Sequence, residues 1–108
     1  MTHLSLRDAL DQISEHWRPK LVGALNGQAV KLAKFQGAFV WHKHDHEDEL
    51  FLVLSGAFCM EFRDRRLELS AGDLLIVPRG VEHRPVAEHE VEVLLFEAGD
   101  LLLDLVHD

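Results

Sequence analysis

Short apolar segments, separated by turn-forming residues, follow one another through most of this chain. Asn26-Gly27, Ser55-Gly56 and Ala71-Gly72-Asp73 are typical of tight turns between such segments. Many short strands at nearly regular spacing favour an all-β sandwich or barrel over alternating βαβ units. The predicted strands are Lys20–Leu25, Gln28–Phe35, Ala38–His44, Leu50–Leu54, Ala57–Arg63, Arg66–Leu69, Leu74–Val77, Glu82–Val86 and Val91–Glu97.

The length of 108 residues allows one core and no more. We therefore predict a single domain, residues 1–108, with the barrel at about residues 20–97 and a C-terminal tail at residues 98–108. A helix is predicted before the barrel, at residues 5–17. Ser5 can cap it, and the dipeptide Arg18-Pro19 should end it, because the residue before a proline is pushed out of the helical conformation. Its apolar face consists of Leu6, Ala9, Leu10, Ile13 and Trp17.

The charge of the chain argues against several classes of partner. Nineteen acidic and eleven basic residues give a net charge of −8, and the basic residues form no long run. Nucleic acids and anionic membranes both require a concentrated positive surface, so neither is expected as a partner. No apolar stretch is long enough to span a bilayer. With a single cysteine, Cys59, and no basic and apolar leader, we expect a cytoplasmic protein.

Histidine is the unusual residue, with eight copies, three of them in the stretch 42–46. Side chains alternate along an extended strand, so His42, His44 and His46 would point to the same side. Imidazole and carboxylate together suit iron, manganese, nickel, copper or zinc. A solvated histidine edge is the alternative, but these histidines lead directly into the apolar strand Leu50–Leu54. The pattern therefore predicts a transition-metal site.

Two motifs in this region resemble those of the cupin superfamily. The first, a glycine followed by His-x-His, a glutamate and another glycine, is present at Gly37, His42, His44, Glu49 and Gly56. The second, a glycine followed by Pro-x-Gly and a histidine, is present at Gly72, Pro78, Gly80 and His83. The resemblance implies a double-stranded β-helix, the jelly-roll barrel of cupins. Two departures are a spacing one residue shorter than usual between Gly37 and His42, and Ala87 where an asparagine is common.

The resemblance also implies the ligand set: His42, His44, Glu49 and His83. The spacing of Glu49 to Gly56, counted back four residues, selects His42 and His44. The competing register, His44 and His46, leaves only two residues before Glu49, and we expect His46 to lie at the rim of the site. Four ligands leave about two positions of an octahedral shell open, as in catalytic centres. We expect one divalent ion, Fe, Mn, Zn or Ni.

A largely apolar cavity is expected around the metal. Strand alternation from Glu49 and His42 predicts the wall, although the same residues could simply be barrel core. The predicted pocket-lining residues are Val40, Phe51, Val53, Phe58, Met60, Phe62, Leu75 and Val77.

Two predicted strands, Leu50–Leu54 and Val91–Phe96, are apolar on both faces. A strand with one solvated face should alternate, so a second layer must cover them. The N-terminal helix, the C-terminal segment Leu101–Val106 or a second subunit could do so, and these alternatives are not exclusive. A homodimer is therefore expected, together with a small-molecule ligand or substrate.

The resemblance implies a metal-dependent enzyme acting on a small oxygenated or enolisable compound, by oxidation with O₂, isomerisation or decarboxylation. A non-catalytic binding or sensing module is the alternative, as is a purely structural metal. The sequence offers no separate general base, which weakens the isomerase hypothesis.

Overall fold

The computed structural model describes residues 1–98 and consists of one short helix followed by seven antiparallel strands. This confirms the predicted all-β class with an N-terminal helix. No helix within the described residues is long and apolar enough to cross a membrane. The elements are α1 Leu6–Asp11, β1 Lys20–Leu25, β2 Gln28–Ala38, β3 Glu49–Ser55, β4 Ala57–Phe62, β5 Arg66–Ser70, β6 Leu74–Val77 and β7 His83–Ala98.

The long strand β7 organises the barrel. Along one edge it pairs with β2, and along the other it pairs with β4 near its beginning and with β3 near its end. β1 extends the sheet beyond β2, β6 extends it beyond β3, and β5 pairs with β4. The inward faces of these strands form the main core, which includes Phe35, Phe51, Met60 and Val93. β7 therefore pairs with three of the strands whose inward residues form the core, namely β2, β3 and β4.

The structure corrects the predicted strands around β7. The two segments predicted at residues 82–86 and 91–97 form one continuous strand. The strand predicted at residues 38–44 is absent from the described structure: β2 ends at Ala38, and beyond it only His42 forms an isolated bridge, to His83. The break expected at Gln36-Gly37 is a register shift within β2, so the strand continues through these turn-like residues.

The helix is also shorter than predicted. Ser5 caps α1 by accepting a hydrogen bond from the Asp8 amide, but the helix ends at Asp11. Trp17 lies in the left-handed region with φ +63°, and its amide donates to the Lys34 carbonyl at 2.9 Å. Contacts with β2 thus determine the conformation of Trp17, and its helical spacing was misleading.

The helix covers part of the outer face of the sheet. Leu10 and Ile13 form a buried cluster with Leu32 of β2, and the partly buried Leu54 and Leu94 pack against this cluster. The Arg7 guanidinium donates to both carboxylate oxygens of Glu92 on β7, at 2.9 and 2.7 Å. The helical region is therefore one of the layers that cover β3 and β7, the two strands predicted to be apolar on both faces. The segment Leu101–Val106, proposed as another, lies outside the described residues, as does the predicted tail after Ala98.

Candidate metal centre

Four residues from three parts of the chain meet at one end of the barrel. Glu49 is the first residue of β3, and His83 is the first residue of β7. His42 and His44 lie between β2 and β3. The main chain of His42 is held to that of His83 by two hydrogen bonds, 3.1 and 2.9 Å long, and the His44 carbonyl accepts from the Gly80 amide at 2.7 Å. The backbone therefore fixes both histidines relative to the turn before β7.

The side chains converge closely. One ligand atom from each of His42, His44, Glu49 and His83 lies within 4.8 Å of the others. The Nε2 atoms of His44 and His83 lie 3.5 and 3.6 Å from Glu49 Oε1. These three side chains are buried, while His42 is half-buried. The structure brings the four predicted ligands together; their binding of a metal remains a prediction.

Backbone carbonyls orient two of the rings. His42 Nδ1 lies 3.0 Å from the Val40 carbonyl oxygen, and His83 Nδ1 lies 2.9 Å from that of Val81. A carbonyl oxygen can only accept, so in each ring Nδ1 donates, and Nε2 is the nitrogen left to bind a metal. In both cases, the carbonyl group of the residue two positions earlier orients the ring.

Two buried atoms in this cluster test whether a metal fits. Glu49 Oε1 and His83 Nε2 are inaccessible to solvent and have no hydrogen-bond partner among the described residues. Leaving such atoms unsatisfied costs about 1–3 kcal/mol each, so native proteins rarely tolerate them. A divalent cation between them would satisfy both. The donor set, imidazole nitrogen with a carboxylate oxygen, also suits a transition metal better than calcium or magnesium.

The ionisation of Glu49 agrees with this role. Burial would raise the pKa of its carboxyl group, but the nearby imidazoles of His44 and His83 and the contact with Glu97 outweigh this effect. The net result is a pKa below the ordinary value for glutamate. Glu49 is therefore held as the carboxylate, the form in which it can bind a cation.

Sequence reasoning missed two buried ionisable residues next to this cluster. Glu97 is 2% exposed and contacts Glu49, and its Oε1 lies 2.6 Å from Lys31 Nζ. Burial, followed by the contact with the Glu49 carboxyl group, raises the pKa of Glu97 to about 8. The signal was present in the alternation of the strands, since Lys31 shares the inward face of β2 with Ala33 and Phe35.

A small apolar cavity adjoins the cluster on the side of His42 and Glu49. Its free volume is about 40 Å³. The indole of Trp17 stacks on Phe35 and Phe39, with ring centroids 4.5 and 4.8 Å apart, and closes one side. The wall consists of Trp17, Pro19, Phe35, Phe39, Phe51, Pro85 and Leu95.

Only one of the eight predicted wall residues, Phe51, lines this cavity. Val40 is 52% exposed, which corrects its placement, because the chain has left the sheet after Ala38 and alternation no longer applies. Phe62 and Leu75 are partly buried against the main core. The other four predicted wall residues are buried in the main core: Val53, Phe58, Met60 and Val77. The sequence allowed this alternative, in which they are barrel core and do not line a cavity.

His46 lies outside the cluster. Its side chain is exposed and borders a surface groove together with Asp48 and Arg79. Asp48 accepts from the Arg79 amide at 2.9 Å, which ties the histidine loop to the turn before β7. The structure thus gathers the residues of the preferred register, with His42 in the cluster and His46 outside it.

The chain belongs to the cupin family: the family described as "Cupin domain" matches residues 29–100. The solved structure of a cupin-2 domain containing protein from Shewanella frigidimarina is similar, with 35% identity and a TM-score of 0.84, over 86% of this chain and 91% of that one. The recognition of a cupin is therefore confirmed, and the barrel is a cupin jelly roll.

Two curated relatives match the chain over part of their length. YdbB of Bacillus subtilis is 41% identical over 64 residues, which are 58% of this chain and 57% of that protein. Acireductone dioxygenase of Yarrowia lipolytica is 36% identical over 72 residues, which are 61% of this chain and 39% of that protein. The chain thus spans about half or less of the length of these relatives.

Proposed function

We propose that this cupin is an enzyme that binds one divalent transition-metal ion on His42, His44, Glu49 and His83. Its substrate is a small oxygenated or enolisable metabolite. The observation that carries this proposal is the pair of buried ligand atoms without hydrogen-bond partners, Glu49 Oε1 and His83 Nε2, beside a cavity with apolar walls. When bound, the metal supplies a Lewis acid with open coordination positions.

The size and polarity of the cavity support a small substrate. Its volume of about 40 Å³ exceeds the roughly 10–15 Å³ that one water requires, but is far below the ~300–1,000 Å³ typical of sites for drug-sized ligands. Apolar and aromatic side chains make up the wall apart from His42 and Glu49. A heavily hydroxylated sugar would find few hydrogen-bond partners there. The cavity favours a compact molecule that offers its oxygen atoms to the metal.

The residues around the cavity favour oxidation over isomerisation. Among the described residues that line it, only His42 and Glu49 can titrate, and both are proposed metal ligands. A reaction that requires a separate general base lacks one in this position. The partial similarity to an acireductone dioxygenase supports an oxidation with O₂ as the leading reaction type.

Turnover by metal-loaded protein tests this proposal. Protein stripped of metal and reloaded separately with Fe(II), Mn(II), Ni(II) or Zn(II) is mixed with small enediols, 1,3-diketones and 2-oxo acids. We expect O₂ uptake with at least one metal and one of these classes, and none with His44→Ala prepared in the same way. Ligand binding without turnover for every metal would instead favour a binding module. Tight zinc binding with neither ligand binding nor turnover would favour a structural metal.

We also propose that the protein forms a homodimer through the uncovered part of its outer face. Leu74 and Ile76 on β6 are 56% and 53% exposed, and they pair with the apolar residues Leu52 and Leu50 of β3. Exposed apolar side chains grouped in this way are typical of interaction surfaces. We expect sedimentation analysis to give a dimer for the wild type and a monomer for Leu74→Glu/Ile76→Glu. A monomeric wild type at micromolar concentration would contradict the proposal.

A further inference from the structure

A buried lysine and a buried glutamate are in contact inside the barrel, next to the candidate metal centre. The side chains of Lys31 on β2 and Glu97 on β7 are 2% and 0% exposed, and their Nζ and Oε1 atoms are 2.6 Å apart. Both residues point inward among apolar neighbours such as Ala33 and Leu95. Burying two ionisable groups is costly, and apolar residues of similar volume would often stabilise a core as well or better. Stability alone therefore gives a weak reason for this pair.

The strand register places Glu97 against a proposed ligand. β3 and β7 pair Phe51 with Leu95 and Leu50 with Phe96, so the next position sets Glu49 opposite Glu97. The two carboxyl groups are in contact. On its other side, Glu97 contacts the ammonium group of Lys31, 2.6 Å from its Oε1.

We propose that Lys31 and Glu97 are positioning residues of the metal centre. Lys31 anchors Glu97, and Glu97 holds the carboxylate of Glu49 so that its Oε1 faces the imidazoles of His44 and His83. This inference rests on the proposed metal binding. Partners of this kind, one step removed from the ion, orient carboxylate ligands, and their loss typically lowers metal affinity by about 10- to 100-fold.

Two double variants separate positioning from a structural role. Lys31→Met/Glu97→Leu replaces both residues together, so neither is left buried without its partner and the barrel should fold. Lys31→Met/Glu97→Gln also removes the lysine, but it keeps a polar group at position 97, whose amide N–H can donate to Glu49. The dissociation constant for Zn(II) is measured by competition with a chromophoric chelator, and stability is measured by urea unfolding of the metal-free proteins.

We expect Lys31→Met/Glu97→Leu to remain folded and to bind Zn(II) about 10- to 100-fold more weakly than the wild type. The glutamine double variant should recover most of that affinity. Glu92→Gln is the matched control, because Glu92 is also a buried acid on β7 beside a β2 lysine, Lys34, but lies towards the other end of β3, opposite Ser55. It should lower stability and leave the Zn(II) affinity unchanged.

Several outcomes would overturn the inference. Wild-type affinity in Lys31→Met/Glu97→Leu would show that the pair does not act on the centre, as would equal losses in both double variants. A loss as complete as that of Glu49→Gln would make Glu97 a ligand instead of a positioning residue. If the wild type itself bound no Zn(II) or other divalent transition metal, the proposed function would fail, and this inference with it.

Discussion

Replacing His83 with alanine is expected to abolish metal binding. His83 is 1% exposed, its Nδ1 is engaged by the Val81 carbonyl, and its Nε2 lies 3.6 Å from Glu49 Oε1. The variant loses one of four ligands from a buried centre, and the space left behind is lined by other rings. We expect the affinity for the metal to fall by more than the roughly 10- to 100-fold that is typical when a residue that contacts a ligand, but not the metal, is replaced. Elemental analysis after desalting, on protein purified without a histidine tag, measures the result.

The neighbouring histidine supplies the control. His46 belongs to the same run of histidines, but it is exposed and lies outside the cluster. His46→Ala should therefore retain the metal, whereas His42→Ala and His44→Ala should lose most of it. The opposite pattern, with metal lost in His46→Ala and kept in His42→Ala, would show that the ligand register is wrong.

The second large effect is expected at Gly56, in the turn between β3 and β4. Its φ is +83°, and a Cβ atom there would lie 2.9 Å from the Glu90 carbonyl oxygen and 3.2 Å from Val91 Cα. Both contacts are with backbone, which cannot move without disturbing β7. A left-handed conformation alone costs a non-glycine residue about 1–3 kcal/mol. Gly56→Ala should lower the free energy of unfolding by more than that range, as measured with urea.

Gly27 is the matched comparison for this variant. It also has a positive φ, +77°, but no atom lies within 4 Å of a Cβ built there. Gly27→Ala should therefore show the conformational strain without the clash. The difference between the losses of unfolding free energy in the two variants gives the cost of the contact between the added Cβ atom and β7. Equal losses would mean that this approach contributes nothing to the stability of the turn.

The candidate ligands could be chosen from sequence because their spacing is local. Glu49 is linked to Gly56 by a single short strand, and His83 follows the tight turn at Pro78 and Gly80. A short strand or a tight turn restricts the backbone to few conformations, so residue type and spacing are enough to predict where these side chains lie. The structure brings the four residues together in the register that this spacing favoured.

The cavity wall could not be predicted in the same way. Trp17 and Pro85 are far apart in the chain, and the helical spacing of Trp17 gave no sign that it would stack on Phe35. Tertiary contacts determined its conformation. Val40 illustrates the same limit, since alternation predicts orientation only while the chain remains in a strand. Lys31 and Glu97 were predictable in orientation, but their partnership requires the pairing of β2 with β7.

The length of β7 has a consequence for the order in which this protein folds. Its pairing with β2 joins residues separated by 48 positions at one end, Ala38 and Val86, and by 70 at the other, Gln28 and Ala98. Contacts so distant in sequence form slowly, because a long loop must be closed before they are gained. His83 and Glu97 both belong to β7, so we expect them to reach their places beside Glu49 only when this strand has paired with its neighbours. We therefore expect the ion to bind the finished barrel and to slow its unfolding, with little effect on the rate of folding.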